Sequence, residues 1–257
     1  MQFTNMRSRH GRCVNIAKQM KMSHHPNVVA APREDEVELP PESVSLQIPV
    51  GEVTLAGDLE IPENPRGLVL FAHGSGSSRR SPRNQAVAEI LRDAGMATLL
   101  FDLLTPHEEA EDAYSAHLRF DIGLLSRRLA IVTEEIADDP HSRNFGIGYF
   151  GASTGGAAAL RAAAALGSII GAVVSRGGRP DLAGEALAHV KAPTLLIVGE
   201  RDEDVLRLNE QAFQKLQCAK SLAVVPHATH LFQEPGTLEE VARLAANWFR
   251  KHLEPRK

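Results

Sequence analysis

The chain has 257 residues, 43% of them hydrophobic, and a formal net charge of −4. This length fits one large α/β domain or two small ones with a sizeable core. The weak negative charge and an aromatic content of only 5% argue against a nucleic-acid partner. Two cysteines give no disulfide framework, so we expect a cytoplasmic protein. No stretch approaches the roughly 18 apolar residues of a membrane helix, so no membrane partner is expected.

Residues 1–42 are predicted to form a flexible N-terminal extension. Residues 1–33 contain no Asp or Glu, and their basic side chains are Arg7, Arg9, Arg12, Lys18, Lys21 and Arg33. An Arg-rich segment without acids is also typical of a transit peptide. Met20 and Met22 could serve as later translation starts. The length and composition of this segment favour the flexible extension over a transit peptide.

From residue 43 to residue 257 the sequence indicates one domain in which short apolar runs alternate with longer helical segments. The first two runs alternate apolar and polar residues around Gly51 and predict a half-buried antiparallel hairpin. The later runs are unbroken, which is typical of strands covered on both faces. The predicted strands are Val44–Pro49, Val53–Ile61, Gly67–Ala72, Ala97–Phe101, Phe145–Phe150, Ile170–Val174, Thr194–Val198 and Ser221–Val225. The predicted helices are Arg83–Ala94, Leu118–Ala137, Thr154–Leu166, Asp204–Leu216 and Leu238–His252.

This alternation predicts an α/β fold with an eight-stranded, mostly parallel sheet and helices on both faces. Residues 175–193, between the sixth and seventh strands, are too few for a large lid. The loop after the fourth strand carries four acids, which we interpret as a solvated face: Glu108, Glu109, Glu111 and Asp112.

The segment Gly151-Ala152-Ser153-Thr154-Gly155 fits the pattern G-x-S-x-G, between an apolar strand and an Ala-rich helix. In that context a sharp turn presents the serine hydroxyl at the end of the sheet. The same residues would also suit a turn that only packs a helix closely. Glycines at positions 146, 148 and 151 spell G-x-G-x-x-G, but the first two lie inside the strand rather than after it. An NADP-binding reductase therefore stays an alternative, with Arg176 near the position of a 2′-phosphate.

A serine needs an adjacent base to act as a nucleophile, and in this type of sheet the order is Ser, acid, His. The candidates are Glu200, Asp202, Glu203 and Asp204 after the seventh strand, and His227 and His230 after the eighth. Asp204 could instead cap the next helix. The two histidines lack the H-E-x-x-H pattern of a metal site. Because loops at the carboxyl ends of parallel strands share one edge, the order predicts a triad of serine, histidine and an acid.

The third strand is followed by the loop His73–Ser78 (HGSGSS), which can direct backbone N–H groups at an oxyanion. The second oxyanion donor would be the N–H of Thr154. The loop lacks the G-K-[ST] of a phosphate-binding P-loop.

Several segments together are similar to one known family: HGSGSS, FDLLT, RFDIGLL, GASTGGAAAL, VSRGGRP and LLIVGERDEDV. They resemble the dienelactone hydrolase-like branch of the α/β-hydrolase superfamily, over about residues 44–252. The resemblance implies an α/β-hydrolase fold, with Asp202 as the acid, His230 as the base and Ser75 as an oxyanion donor. Dienelactone hydrolases proper use a cysteine nucleophile where this chain has Ser153. The resemblance therefore implies acyl transfer but not the dienelactone substrate.

We predict a carboxylic ester hydrolase in which Ser153 attacks a small ester or lactone, His230 transfers the proton and Asp202 orients the imidazole. Arg176 and Arg179 leave the sixth strand at the same edge, and one of them would bind a carboxylate of the substrate. Surface charge is the alternative for both arginines. No metal or organic cofactor is implied, and a homodimer is compatible with the sequence. A non-catalytic binding protein of the same fold is the remaining alternative.

Overall fold

The structure, a computed structural model, describes residues 42–140 and 142–256. The predicted N-terminal extension lies outside the described residues apart from Glu42, where the first strand begins. Among the described residues, no helix has the length and apolar character that a membrane crossing requires.

The described elements follow the predicted alternation of strands and helices. The strands are β1 (Glu42–Val50), β2 (Val53–Ile61), β3 (Gly67–Ala72), β4 (Met96–Phe101), β5 (Gly146–Ala152), β6 (Ile170–Arg176), β7 (Thr194–Gly199) and β8 (Lys220–Val225). The helices are α1 (Pro82–Asp93), α2 (Pro106–Ser115), α3 (Ile122–Asp138), α4 (Thr154–Leu166), α5 (Glu203–Lys215) and α6 (Thr237–His252). Short 3₁₀ segments lie at Leu118–Phe120, Gly167–Ile169 and Pro180–His189.

All eight strands form one sheet in the order β1-β2-β4-β3-β5-β6-β7-β8. β1 and β2 form the predicted hairpin, and β2 also runs antiparallel to β4. The other neighbours are parallel. The turn between Val50 and Val53 begins at Gly51, whose φ of +61° is a conformation that glycine adopts at little cost. The predicted eight-stranded, mostly parallel α/β fold is confirmed.

Two apolar layers cover the sheet. One layer contains side chains of α3, α4 and α5, and the other contains side chains of α1 and α6. Every residue of β5 is buried, as expected for a central strand covered on both faces. A Cβ atom on Gly148 would lie 2.8 Å from Cε1 of Phe249 in α6, and one on Gly146 would collide with the carbonyl oxygen of Glu254. Close packing against the C-terminal segment thus explains the first two glycines of G-x-G-x-x-G.

The prediction of one helix over Leu118–Ala137 is wrong in its first turn. Leu118–Phe120 is a 3₁₀ turn, and α3 begins only at Ile122. Asp121 separates them because its side chain accepts a hydrogen bond from the N–H of Leu124, 2.8 Å away. This N-cap starts a new helix instead of continuing the preceding turn.

Helix α2 was not predicted, and the interpretation of its acids as a solvated face is wrong for two of them. Thr105 and Glu108 form a capping box, in which each side chain accepts a hydrogen bond from the other's N–H. Glu108 also binds both terminal nitrogens of Arg128, and these hydrogen bonds lower its pKa to about 2. Asp112 is buried in an ion pair with Arg119. The pair with Arg128 holds α2 against α3, and the pair with Arg119 holds α2 against the 3₁₀ turn at Leu118–Phe120.

Candidate active site

Ser153 lies between β5 and α4 with φ +50° and ψ −120°, a strained conformation for a residue with a side chain. Its N–H donates to the carbonyl oxygen of Arg176 at 3.2 Å. Its own carbonyl oxygen accepts hydrogen bonds from the N–H groups of Gly156 and Arg179, both at 3.0 Å. The strained turn is therefore fixed to the end of β6 and to the residues that follow it.

The glycines around Ser153 are required by close backbone contacts. A Cβ on Gly155 would collide with the carbonyl oxygen of Ala72 at the end of β3, and one on Gly151 would lie 2.6 Å from the carbonyl oxygen of Gly155. Helix α4 thus approaches the sheet too closely for larger residues. The N-terminus of this helix carries partial positive charge directly beside Ser153.

Asp202 and His230 are joined by a hydrogen bond. Nδ1 of His230 lies 2.6 Å from Oδ2 of Asp202. Asp202 occupies the N-cap position of α5, but its carboxylate caps no N–H of the helix and is directed to the histidine instead. The side chain of Asp202 is 14% exposed and that of His230 is 38% exposed. The carboxylate is therefore partly withdrawn from water, while the ring reaches the surface of the cleft.

The competing acids and the second histidine lie elsewhere. Asp204 is exposed and forms a surface ion pair with Arg207. Glu200 accepts a hydrogen bond from the N–H of His227 at 2.7 Å, and both of these side chains are exposed. Among the predicted candidates, the structure brings together Asp202 and His230.

The His230 ring lies close to Gly177, the residue that follows β6, and so near the nucleophile turn. A Cβ on Gly177 would lie 3.6 Å from Cε1 of His230, and the preceding Arg176 accepts the hydrogen bond from Ser153. Within the described part of the chain, the Ser153 hydroxyl makes no hydrogen bond to His230. In enzymes such contacts often form only when substrate is bound.

The HGSGSS loop lies against Ser153, but its predicted oxyanion donor, the N–H of Ser75, already makes a hydrogen bond within the protein. A Cβ on Gly74 would lie 3.1 Å from Cβ of Ser153. The N–H of Ser75 donates to Oγ1 of Thr154 at 2.9 Å. The Thr154 side chain therefore lies next to both predicted N–H donors, its own and that of Ser75.

His73 holds this loop to the end of β4. The sequence pattern did not indicate this role. Its Nε2 accepts a hydrogen bond from the N–H of Leu103 at 2.9 Å, and its Nδ1 lies 3.0 Å from the carbonyl oxygen of Gly74. This pattern assigns the ring hydrogen to Nδ1. Burial lowers the pKa of His73, which favours the neutral ring that these contacts need.

Arg79 fixes the far end of the same loop. Its N–H donates to Oδ1 of Asp102 at 2.8 Å, and its guanidinium binds Asp102 and Asp58. The contacts at the two ends of the loop thus involve residues of HGSGSS and FDLLT, together with Arg79, which follows HGSGSS, and Asp58 in β2. The loop reaches the nucleophile with both of its ends tied down.

The two arginines predicted to bind a carboxylate have different surroundings. Arg179 binds Asp181 through two hydrogen bonds of 2.9 and 2.8 Å. Arg176 is buried, and its Nη2 donates to Oδ1 of Asn84 at 3.3 Å. Burial lowers the pKa of Arg176 to about 10, and the positive charge of Arg83 adds to the effect. Among the described residues, no carboxylate pairs with Arg176.

A cavity of about 550 Å³ adjoins the site on the side of α1 and α2. Its wall includes the HGSGSS loop, Arg83 from the first turn of α1, and Arg119 after α2. Gly74 lies in this wall, and a Cβ on Gly74 would lie 3.1 Å from Cβ of Ser153, so the cavity borders on the nucleophile turn. In the described ranges, no group of three His, Cys, Asp or Glu side chains is placed to hold a metal ion.

Comparison with known proteins identifies one family. The model of the dienelactone hydrolase family matches residues 56–254. A crystal structure of a dienelactone hydrolase from Anabaena variabilis is 56% identical, with a TM-score of 0.82, and covers 83% of this chain and 99% of that one. An α/β serine hydrolase without lid from Xanthomonas campestris has a TM-score of 0.64 at 20% identity, over 84% of this chain and 97% of that one. The second match shows the fold alone.

Two curated proteins from strains of Mycobacterium tuberculosis are 58% identical over 208 residues, which is 81% of this chain. Both carry the provisional name of phosphoribosyl transferase. The match covers 46% of their length, so the chain spans about half of these relatives.

Proposed function

The chain belongs to the dienelactone hydrolase family, and on that basis we propose that it hydrolyses a small carboxylic ester or lactone through an acyl-enzyme on Ser153. The observation that carries the proposal is the 2.6 Å contact between His230 and Asp202 at the same sheet edge as the strained Ser153. A turn that only packed a helix would need neither the strained serine nor a histidine oriented by a partly buried carboxylate.

In the proposed reaction, Oγ of Ser153 attacks the carbonyl carbon and gives its proton to Nε2 of His230. Asp202 accepts the hydrogen bond from Nδ1–H and stabilises the charged ring. The tetrahedral intermediate expels the alcohol, which takes the proton from His230. A water molecule then attacks the acyl-enzyme with His230 again as base, and the acid leaves as Ser153 recovers its proton.

We propose that the Thr154 hydroxyl belongs to the oxyanion hole together with the Thr154 N–H. The hydroxyl oxygen accepts the Ser75 N–H, and among the described residues its own hydrogen has no acceptor. That hydrogen can therefore be donated to the oxyanion, with Ser75 polarising the hydroxyl. The bond also fixes the HGSGSS loop against the nucleophile.

Thr154→Val is expected to lower kcat about 10²-fold with little change in KM, because it removes a donor that acts in the transition state. Steady-state kinetics on p-nitrophenyl acetate measure both constants. Thr154→Ser keeps the hydroxyl and is expected to retain most of the activity. Equal activity of the valine and serine variants would exclude the hydroxyl from the oxyanion hole.

Phosphoribosyl transfer is the second candidate function, favoured by the 58% identity to the two mycobacterial proteins. It is the weaker proposal because this chain spans only 46% of those proteins. The two candidates are separated by assaying one preparation for p-nitrophenyl acetate hydrolysis and for pyrophosphate release from phosphoribosyl diphosphate with a nucleobase. We expect ester hydrolysis without pyrophosphate release. The opposite result would favour the transferase, and neither activity would favour a binding protein.

A further inference from the structure

Two neighbouring arginine side chains near the end of β6 have no acidic partner among the described residues. Arg176 is only 6% exposed, and its Nε–H has no acceptor in the structure. The Nε–H of Arg83, in the first turn of α1, is also buried without an acceptor. Neither guanidinium pairs with a carboxylate of the described residues. A buried cation without a counter-charge is strongly unfavourable, so this arrangement indicates an anion that completes it.

The acids around this edge of the sheet are engaged with other arginines. The pairs are Asp102 with Arg79, Asp112 with Arg119, and Asp181 with Arg179. Glu109, a further acid in the cavity wall, forms no ion pair among the described residues. Burial raises the pKa of Glu109, and the nearby Asp102 adds to the effect. The arginines whose charges act on Glu109 are Arg79 and Arg119, and not Arg83 or Arg176.

The surroundings of the two arginines favour an anion. The hydrogen bond from Arg176 to Asn84 places its guanidinium at the first turn of α1, where the helix N-terminus adds partial positive charge. Arg83 lines the 550 Å³ cavity, which is within the usual size of small-molecule pockets. The same wall carries the hydroxyl groups of Ser75, Ser77 and Ser78.

We propose that Arg83 and Arg176 bind the phosphate group of a phosphorylated ester substrate whose carbonyl group is presented to Ser153. A phosphate monoester carries nearly two negative charges and can match two guanidinium groups, whereas a carboxylate neutralises only one. Its terminal oxygens can accept hydrogen bonds from both Nε–H groups and from serine hydroxyls. The phosphate is bound and not transferred. This inference rests on the proposed hydrolase function, because it names the substrate class of that site.

Binding of phenyl phosphate to the Ser153→Ala protein tests the site without turnover. In calorimetric titrations at low salt, we expect phenyl phosphate to bind at least about tenfold more tightly than benzoate. Arg83→Gln, added to the Ser153→Ala protein, should weaken phenyl phosphate binding about ten- to hundredfold, because a charged hydrogen bond is lost. Arg207→Gln removes a surface guanidinium that pairs with Asp204, and should change the Kd by less than about twofold.

Arg176→Gln should have the same effect as Arg83→Gln. Arg83 is partly exposed, so Arg83→Gln decides the outcome if the buried substitution prevents folding, which thermal unfolding would reveal. Unchanged affinity in Arg83→Gln, or benzoate binding as tight as that of phenyl phosphate, would overturn the phosphate site. The probe contains no carboxylic ester, and the Ser153→Ala protein lacks the nucleophile. Hydrolysis of neutral esters by the wild-type protein therefore tests the proposed function separately.

Discussion

Ser153→Ala is expected to lower kcat on p-nitrophenyl acetate about 10⁴–10⁶-fold, because it removes the atom that forms the acyl-enzyme. The fold should persist, since the contacts that hold the turn come from the backbone N–H and carbonyl group of residue 153. Steady-state kinetics and thermal unfolding on the same preparation measure both effects.

Ser168→Ala is the matched control, because Ser168 is exposed in the turn that follows the opposite end of α4. It should leave kcat and the melting temperature unchanged. A Ser153→Ala protein with more than about a tenth of the wild-type activity would show that another residue is the nucleophile, given the loss expected for a triad member.

Asp202→Asn is expected to reduce kcat about 10⁴-fold, because an amide favours the wrong tautomer of His230. The substitution keeps the size of the side chain, so the melting temperature should change little. Asp204→Asn supplies the comparison two residues away. Asp204 pairs with Arg207 at the surface, so its loss should leave kcat unchanged and affect stability by less than about 1 kcal/mol.

The pH dependence of kcat/KM provides a second readout for this pair of variants. The wild-type and Asp204→Asn proteins should show the same dependence of kcat/KM on pH. If Asp204→Asn were the variant with the large loss in kcat, the acid of the triad would have to be reassigned to Asp204.

The strands of the sheet and most of its helices were predictable because the pattern of hydrophobic residues indicates which segments are covered on one face and which on both. Unbroken apolar runs such as Thr194–Val198 indicated central strands, and the alternation around Gly51 indicated the edge hairpin. The break between the 3₁₀ turn and α3 at Asp121 was missed because the helical spacing of apolar residues continues through it. The break depends on a local contact, the hydrogen bond by which the Asp121 side chain caps α3. Helix α2 carries a readable signal, the capping box of Thr105 and Glu108, but its short polar sequence shows little apolar periodicity.

The order of the candidate site along the chain was readable from the sequence, since parallel strands bring their carboxyl ends together. The surroundings of the arginine side chains at this site could not be predicted from the sequence. Arg176 and Arg179 are three residues apart, yet one is buried beside Asn84 and the other binds Asp181. Arg83 and Asn84 come from α1, which is distant in sequence from β6. No local pattern indicates that Asn84 accepts a hydrogen bond from Arg176 or that the charge of Arg83 lies near it.

The central claim is that Ser153 is an activated nucleophile, and covalent labelling with a fluorophosphonate tests it most directly. Peptide mass spectrometry of the labelled wild-type protein should place one adduct on Ser153. The Ser153→Ala protein should carry no adduct, and Asp202→Asn should react more slowly because His230 is no longer held as a base. A folded wild-type protein that stays unlabelled, or that carries the adduct on a different residue, would contradict the account.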